Sequence, residues 1–207
     1  MGNRLAILIT YLFHPLLIPT YGICLLYRIF SNFYFIHDNR ILISLVGITF
    51  VSTCLLPAIS ALFLFRSGLL SNLEMTDRRE RLLPYLLTTL YYLLAYYLLK
   101  NFPLPSGMLL AVRLFTLGAT CALLLTSGIN LIWKISAHAI AIGGLTGAFL
   151  ILCLKLSFPP IDELCWCTLV AGMVGWARLK LEAHSPAQIY AGFGLGMLAM
   201  VGLFFGA

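Results

Sequence analysis

Charge is what this chain has least of. Only 10% of its 207 residues are Asp, Glu, Lys or Arg, with seven acidic residues against thirteen basic ones. A soluble domain carries about 25% charged residues, so an ordinary solvated surface is excluded. No polar block is long enough to form a second domain, and there is no internal repeat or low-complexity tail. No basic stripe with interleaved aromatics occurs either, which argues against a nucleic-acid partner. The six cysteines, at 24, 54, 121, 153, 165 and 167, all fall in apolar segments, and Cys165-Trp166-Cys167 has only Asp162 and Glu163 nearby. Free buried thiols are expected, with no disulfide, metal site or other cofactor. What the chain has in place of charge is hydrophobicity: 61% of residues, with a mean hydropathy of +1.00. That composition describes a polytopic membrane protein.

A hydrocarbon core takes about 20 helical residues. This length divides the chain into a single all-α transmembrane bundle over 1–207 with about six to seven spans: 5–30, 41–65, 82–99, 108–133, 136–157, 163–177 and 186 onward. His14-Pro15 and Pro19 interrupt the first, so a kink or a re-entrant start is expected there. Arg4 before an apolar run resembles a signal peptide, but no small-residue cleavage site follows and the run is long enough to span. Residues 100–107 and 158–162 are breaker-rich turns. With one crossing per span, loops 66–81, 132–135 and 178–185 emerge together on one face and the two turns on the other. A re-entrant first segment leaves this grouping intact.

The grouped loops hold the polar residues that matter. Ser185 reads as a helix N-cap, Pro186 suits the first helical position, and Gln188 stands where a capping-box partner belongs. His184 therefore precedes a helix start, where unpaired N–H groups and the helix dipole favour an anion, and Arg178 lies six residues back. Ser136 repeats the pattern as N-cap of the fifth span, with His138 in its first turn. Free N–H groups from two such starts can bind the same oxyanion. Gly143, Gly144 and Gly147, then Gly192, Gly194 and Gly196, have the small-residue spacing that lets helices approach closely, or that generic membrane packing also uses.

On these residues the chain resembles the type 2 phosphatidic acid phosphatase and vanadium haloperoxidase superfamily. One family motif reads Pro-Ser-Gly-His, and this chain has Ile135-Ser136-Ala137-His138. Another reads Ser-Arg, five residues, His, three residues, Asp; this chain has Ala177-Arg178, five residues, His184, three residues, Gln188. The small-residue segment 189–196 looks like the helix that follows the family's histidine, and the resemblance covers about 130–207. It implies a phosphatidic-acid-phosphatase-like core in the C-terminal part and a metal-independent phosphatase acting on a lipid phosphate: polyprenyl, phosphatidate-type or glycolipid. By resemblance His184 is the nucleophile that forms a phosphohistidine, and His138 protonates the leaving oxygen and later helps activate water. Arg178 clamps the equatorial oxygens, while Ser136 and the backbone at Ala137 add donors. Lys134 serves either as a phosphate contact or as an interface anchor beside Trp133.

Three departures from the family pattern carry consequences. Ala137 replaces Gly, which matters only if that backbone needs positive φ. Gln188 replaces the Asp that orients the nucleophile: its carbonyl can fix the tautomer but brings no negative charge, and a capping role with Ser185 is the alternative. The family's Lys motif, followed seven residues later by Arg-Pro, is missing. Its nearest substitute is Arg78-Arg79-Glu80-Arg81-Leu82-Leu83-Pro84, where Arg78 or Arg81 supplies the charge, unless the loop is merely solvated, with Asp77 capping and Glu80 pairing locally. A degenerate relative that binds anionic lipid, and a small transporter or scaffold, are the competing functions.

The proposed site face holds Arg4, Arg66, Arg78, Arg79, Arg81, Lys134, Arg178 and Lys180, and the other holds Arg28, Arg40, Lys100 and Lys155. The positive-inside rule places the site in the cytoplasm if all are counted, and reverses if the pocket-loop cations are set aside. Bacterial relatives imply an inner-membrane protein with a periplasmic site. His14 is expected to be hydrogen-bonded in a kinked helix, Arg113 to snorkel or pair inward, and Tyr91, Tyr92, Tyr96 and Tyr97 to pack or sit at the interface.

Overall fold

The computed structural model describes residues 2–73, 75 and 79–206, and among them it is all helical, with no strand. The helices are α1 (Gly2–Leu12), α2 (Ile18–Tyr34), α3 (Asn39–Phe50), α4 (Leu56–Arg66), α5 (Leu82–Leu99), α6 (Ser106–Ile132), α7 (Ala137–Lys155), α8 (Ile161–Lys180) and α9 (Pro186–Phe205). Five segments are long and apolar enough to cross a membrane: Asn39–Arg66, Arg79–Leu99, Ser106–Ile132, Ala137–Lys155 and Pro186–Phe205. The outer surface carries the matching side chains, such as Leu8, Leu90, Tyr190 and Leu198, each at least 60% exposed. An exterior so apolar marks an integral membrane protein.

The first and sixth expected spans fall outside those five. The first is divided into α1, of 11 residues, and α2, of 17, each short of a crossing. Pro15 and Pro19 explain the division, since neither supplies an N–H and each ring clashes with the carbonyl of the fourth residue before it. The sixth, α8, is 20 residues long but has Asp162 and Glu163 in its first turn and Arg178 and Lys180 in its last. That order complements the helix dipole and leaves α8 charged at both ends. Its Glu163 forms an ion pair with Arg28 of α2, remote from the loops of interest.

Irregular backbone at membrane depth survives only where its polar groups are satisfied within the protein. In the α1–α2 break, Tyr21 Oη donates to Leu12 O at 3.0 Å, the Leu16 N–H donates to His14 Nδ1 at 3.3 Å, and Thr53 Oγ1 donates to Leu16 O at 3.4 Å. Thr53 belongs to a π-helical turn, Val51–Leu55, that joins α3 to α4. Pro57 lies two residues beyond its end, and the wider turn accommodates the carbonyl that proline leaves unpaired.

Helices α7 and α9 run parallel with their backbones in contact. A Cβ on Gly143 would lie 2.2 Å from the Phe193 carbonyl oxygen, one on Gly147 2.6 Å from that of Met197, and one on Gly196 2.0 Å from that of Ile140. Residue numbers rise together along both helices, so the two start at the same end of the bundle. Gly196→Ala is expected to destabilise the protein by about 3 kcal/mol or more, the upper range for overpacking, because only backbone is there to yield. Gly194, whose Cβ would meet open space, is the control: Gly194→Ala should leave the melting temperature in detergent unchanged or slightly raised, since Ala favours helix.

Candidate functional site

Both helix starts are capped by the residues that the sequence nominates. Ser136 Oγ accepts from the Ala139 N–H at 3.4 Å and opens α7. Ser185 Oγ accepts from the Gln188 N–H at 3.4 Å, and Gln188 Oε1 accepts from the Ser185 N–H at 3.2 Å, completing a capping box. Between α8 and α9 the chain reverses tightly through Glu182, whose φ of 51° is the left-handed conformation that closes many helices. This reversal sets Arg178, at the end of α8, beside His184, ahead of α9.

A cavity of about 930 Å³ collects the site residues. Arg81, Lys134, Ala137, His138, Arg178 and His184 line it, together with His14 from the α1–α2 break. Its inner wall is apolar, built from Phe115, Ala119, Leu145 and Met200. Among the described lining residues Glu182 is the one acid, and it is exposed. Arg178 is central: its charge acts on His14, His138, His184 and Lys134. Arg81, only 8% exposed, adds its charge at Lys134 and His184. Its Nε donates to the Met75 carbonyl at 2.7 Å, and its guanidinium interacts with the Tyr85 side chain.

The two imidazoles are held differently. His184 Nδ1 is 3.1 Å from Gln188 Oε1. Because the Ser185 N–H donates to the same atom, that atom is the amide oxygen, so His184 carries its proton on Nδ1 and keeps the Nε2 lone pair. Burial, opposed by the Gln188 hydrogen bond and reinforced by Arg178, Lys134 and Arg81, lowers the His184 pKa to about 4. His184 is therefore a free base at neutral pH. His138 is buried, and its Nε2 donates to the Thr10 carbonyl at 3.2 Å, leaving Nδ1 to exchange a proton with an occupant. Burial and the same two guanidinium groups lower the Lys134 pKa. Positive charge with so little acid nearby disposes the cavity towards an anion.

Ser136 and Gln188 do not line the cavity. Ser136 is fully buried and spends its oxygen on the cap, while Gln188 acts through His184 as well as in the capping box. Ala137 is absent from the residues at positive φ, so replacing Gly costs nothing there. Arg78 and Asp77 lie outside the described residues. Glu80 accepts from the Ser71 N–H and hydroxyl at 3.1 and 3.0 Å, a local loop contact. Arg113 donates to the Lys100 carbonyl at the end of α5, and Tyr91 packs α5 on α4 through Ser60. The residue that sequence patterning undervalued is His14, whose only signal was an ionisable group within an apolar run. Among the described residues no three His, Cys, Asp or Glu side chains gather closely enough to hold a metal.

Comparison with protein-family models, curated proteins and solved structures returns no match.

Proposed function

We propose that this protein is an integral membrane phosphatase that hydrolyses a lipid phosphate through a phosphohistidine, on a core like that of the type 2 phosphatidic acid phosphatases. The observation that carries the reading is a cavity where a neutral, tautomer-fixed His184 meets His138 and Arg178 while the inner wall is apolar. Such a cavity suits a ligand with an anionic head and a hydrocarbon tail. In this mechanism His184 Nε2 attacks phosphorus, the P–N bond forms and the P–O bond to the lipid breaks. His138 Nδ1, a lone pair while its Nε2–H is held by the Thr10 carbonyl, takes the remaining proton of the phosphate monoanion and passes it to the departing oxygen. It then takes a proton from a water that attacks the phosphohistidine and hands it to the inorganic phosphate released, restoring both histidines. Arg178, Lys134 and Arg81 neutralise the oxyanion, Arg178 with its planar fork. In this reading α1–α2 and α8 complete a seven-span bundle, and the site faces the periplasm of a bacterial inner membrane.

The test is phosphate release by detergent-purified protein from phosphatidate, a polyprenyl phosphate and a water-soluble phosphate monoester. At least one lipid is expected to exceed the soluble ester by about 100-fold or more in kcat/KM, remote binding energy being used at the reacting centre. Arg178→Lys, which loses the two-pronged contact, is expected to cost about 10- to 100-fold. Release from no lipid phosphate would exclude the enzyme. A second reading, a relative that binds lipid phosphate without turnover, is favoured by one observation: the partner of His184 Nδ1 is a neutral amide.

A further inference from the structure

We propose that the break between α1 and α2 forms part of this site, and that His14 is a binding residue donating its Nε2–H to the phosphoryl oxyanion that Arg178 and His184 face. The inference rests on the phosphate-site reading above and extends it to the N-terminal segment, which lies outside the motifs at Ser136–His138 and Arg178–Gln188. Several observations converge. His14 lines the same cavity, with its ring centroid 5.5 Å from that of His138 in an edge-to-face arrangement at 79°. The Leu16 N–H donates to His14 Nδ1, so the neutral ring must carry its proton on Nε2, the nitrogen left to meet an occupant. Arg178 and His184 line the same cavity as His14 and His138, so one occupant can meet the guanidinium and all three imidazoles.

The break is also built to hold that position. Leu12 O, Leu16 O and the Leu16 N–H each have side-chain partners, from Tyr21, Thr53 and His14 itself. The preceding turn is anchored separately, through the Thr10 carbonyl, to His138 Nε2. One short segment therefore fixes the tautomer of His138 and presents a further donor beside it. A helix interrupted only for packing needs neither contact.

The test compares His14→Gln and His14→Met, side chains of similar length that differ in the terminal amide. Binding of orthovanadate, a free oxyanion, is measured for wild type and both variants in detergent. Parallel measurements use micelles carrying phosphatidate or a polyprenyl phosphate, which separates recognition of the head from recognition of the lipid. His14→Met is expected to weaken vanadate and lipid-phosphate binding by about 10- to 100-fold, as for loss of one donor to a developing oxyanion, and His14→Gln to stay within a few-fold of wild type. Melting temperatures show that each variant is folded. Equal affinities for the two variants would overturn the role of His14 and leave the phosphate site standing. Wild-type protein that binds neither vanadate nor lipid phosphate would overturn both.

Discussion

Replacing His184 with alanine is expected to abolish phosphate release, a loss of about 10⁴-fold or more, as when other covalent catalysts lose their nucleophile. The size follows from what remains. Arg178, Lys134 and Arg81 still gather around the cavity, and the capping box between Ser185 and Gln188 needs no imidazole, so substrate binding and fold should persist. Loss of turnover with retained binding of lipid phosphate is the expected signature. A radiolabelled phosphate, trapped on wild-type protein by rapid denaturation in base and released by acid, should be missing from His184→Ala. A variant that keeps a tenth of wild-type activity would remove His184 from the chemistry.

Replacing Gln188 with glutamate is expected to act in the opposite direction, raising turnover by about 100-fold or more. Neutralising the orienting aspartate of a serine-protease triad drops turnover by about 10⁴-fold, and this substitution is the reverse step. The Gln188 oxygen already accepts from His184 Nδ1 at 3.1 Å, so geometry is in place and charge is what changes. The sign is visible in the pH profile. The His184 pKa, near 4, lies below the ordinary value of 6.5, so the free base persists down to about pH 4 and kcat/KM should fall only as pH drops through that value. A carboxylate beside Nδ1 favours the imidazolium and moves this acid limb to higher pH. An acid limb that moves upward without any gain in turnover would show that the missing negative charge at position 188 does not limit the chemistry.

Local chemistry was the legible part of the sequence. The N-cap at Ser136 and the capping box of Ser185 with Gln188 involve neighbours three residues apart, and both are present. Alternation of apolar segments grouped the loops holding Arg81, Lys134 and Arg178, and these residues share a cavity. For Gln188 the two sequence readings, cap or orienter, turn out not to exclude each other, because one oxygen accepts from both His184 and Ser185. What escaped the sequence depends on distant partners. Residues 14 and 138 are separated by most of the chain, and no periodicity signals that their rings touch. The pairing of Arg28 with Glu163, and the π turn that lets Thr53 reach Leu16, are of the same kind. Hydropathy counts a residue without regard to what it will meet, so it takes no account of the charges at the two ends of α8.

Where glycine lets α7 meet α9 main chain to main chain, no rotamer stands between them to absorb displacement. The pair acts as a fixed caliper for the proposed site, with His138 in the first turn of α7 and His184 just ahead of α9. Its gauge depends on covalent geometry rather than on side-chain disorder or bilayer thickness, so the proposed site offers head groups of every bulk the same spacing.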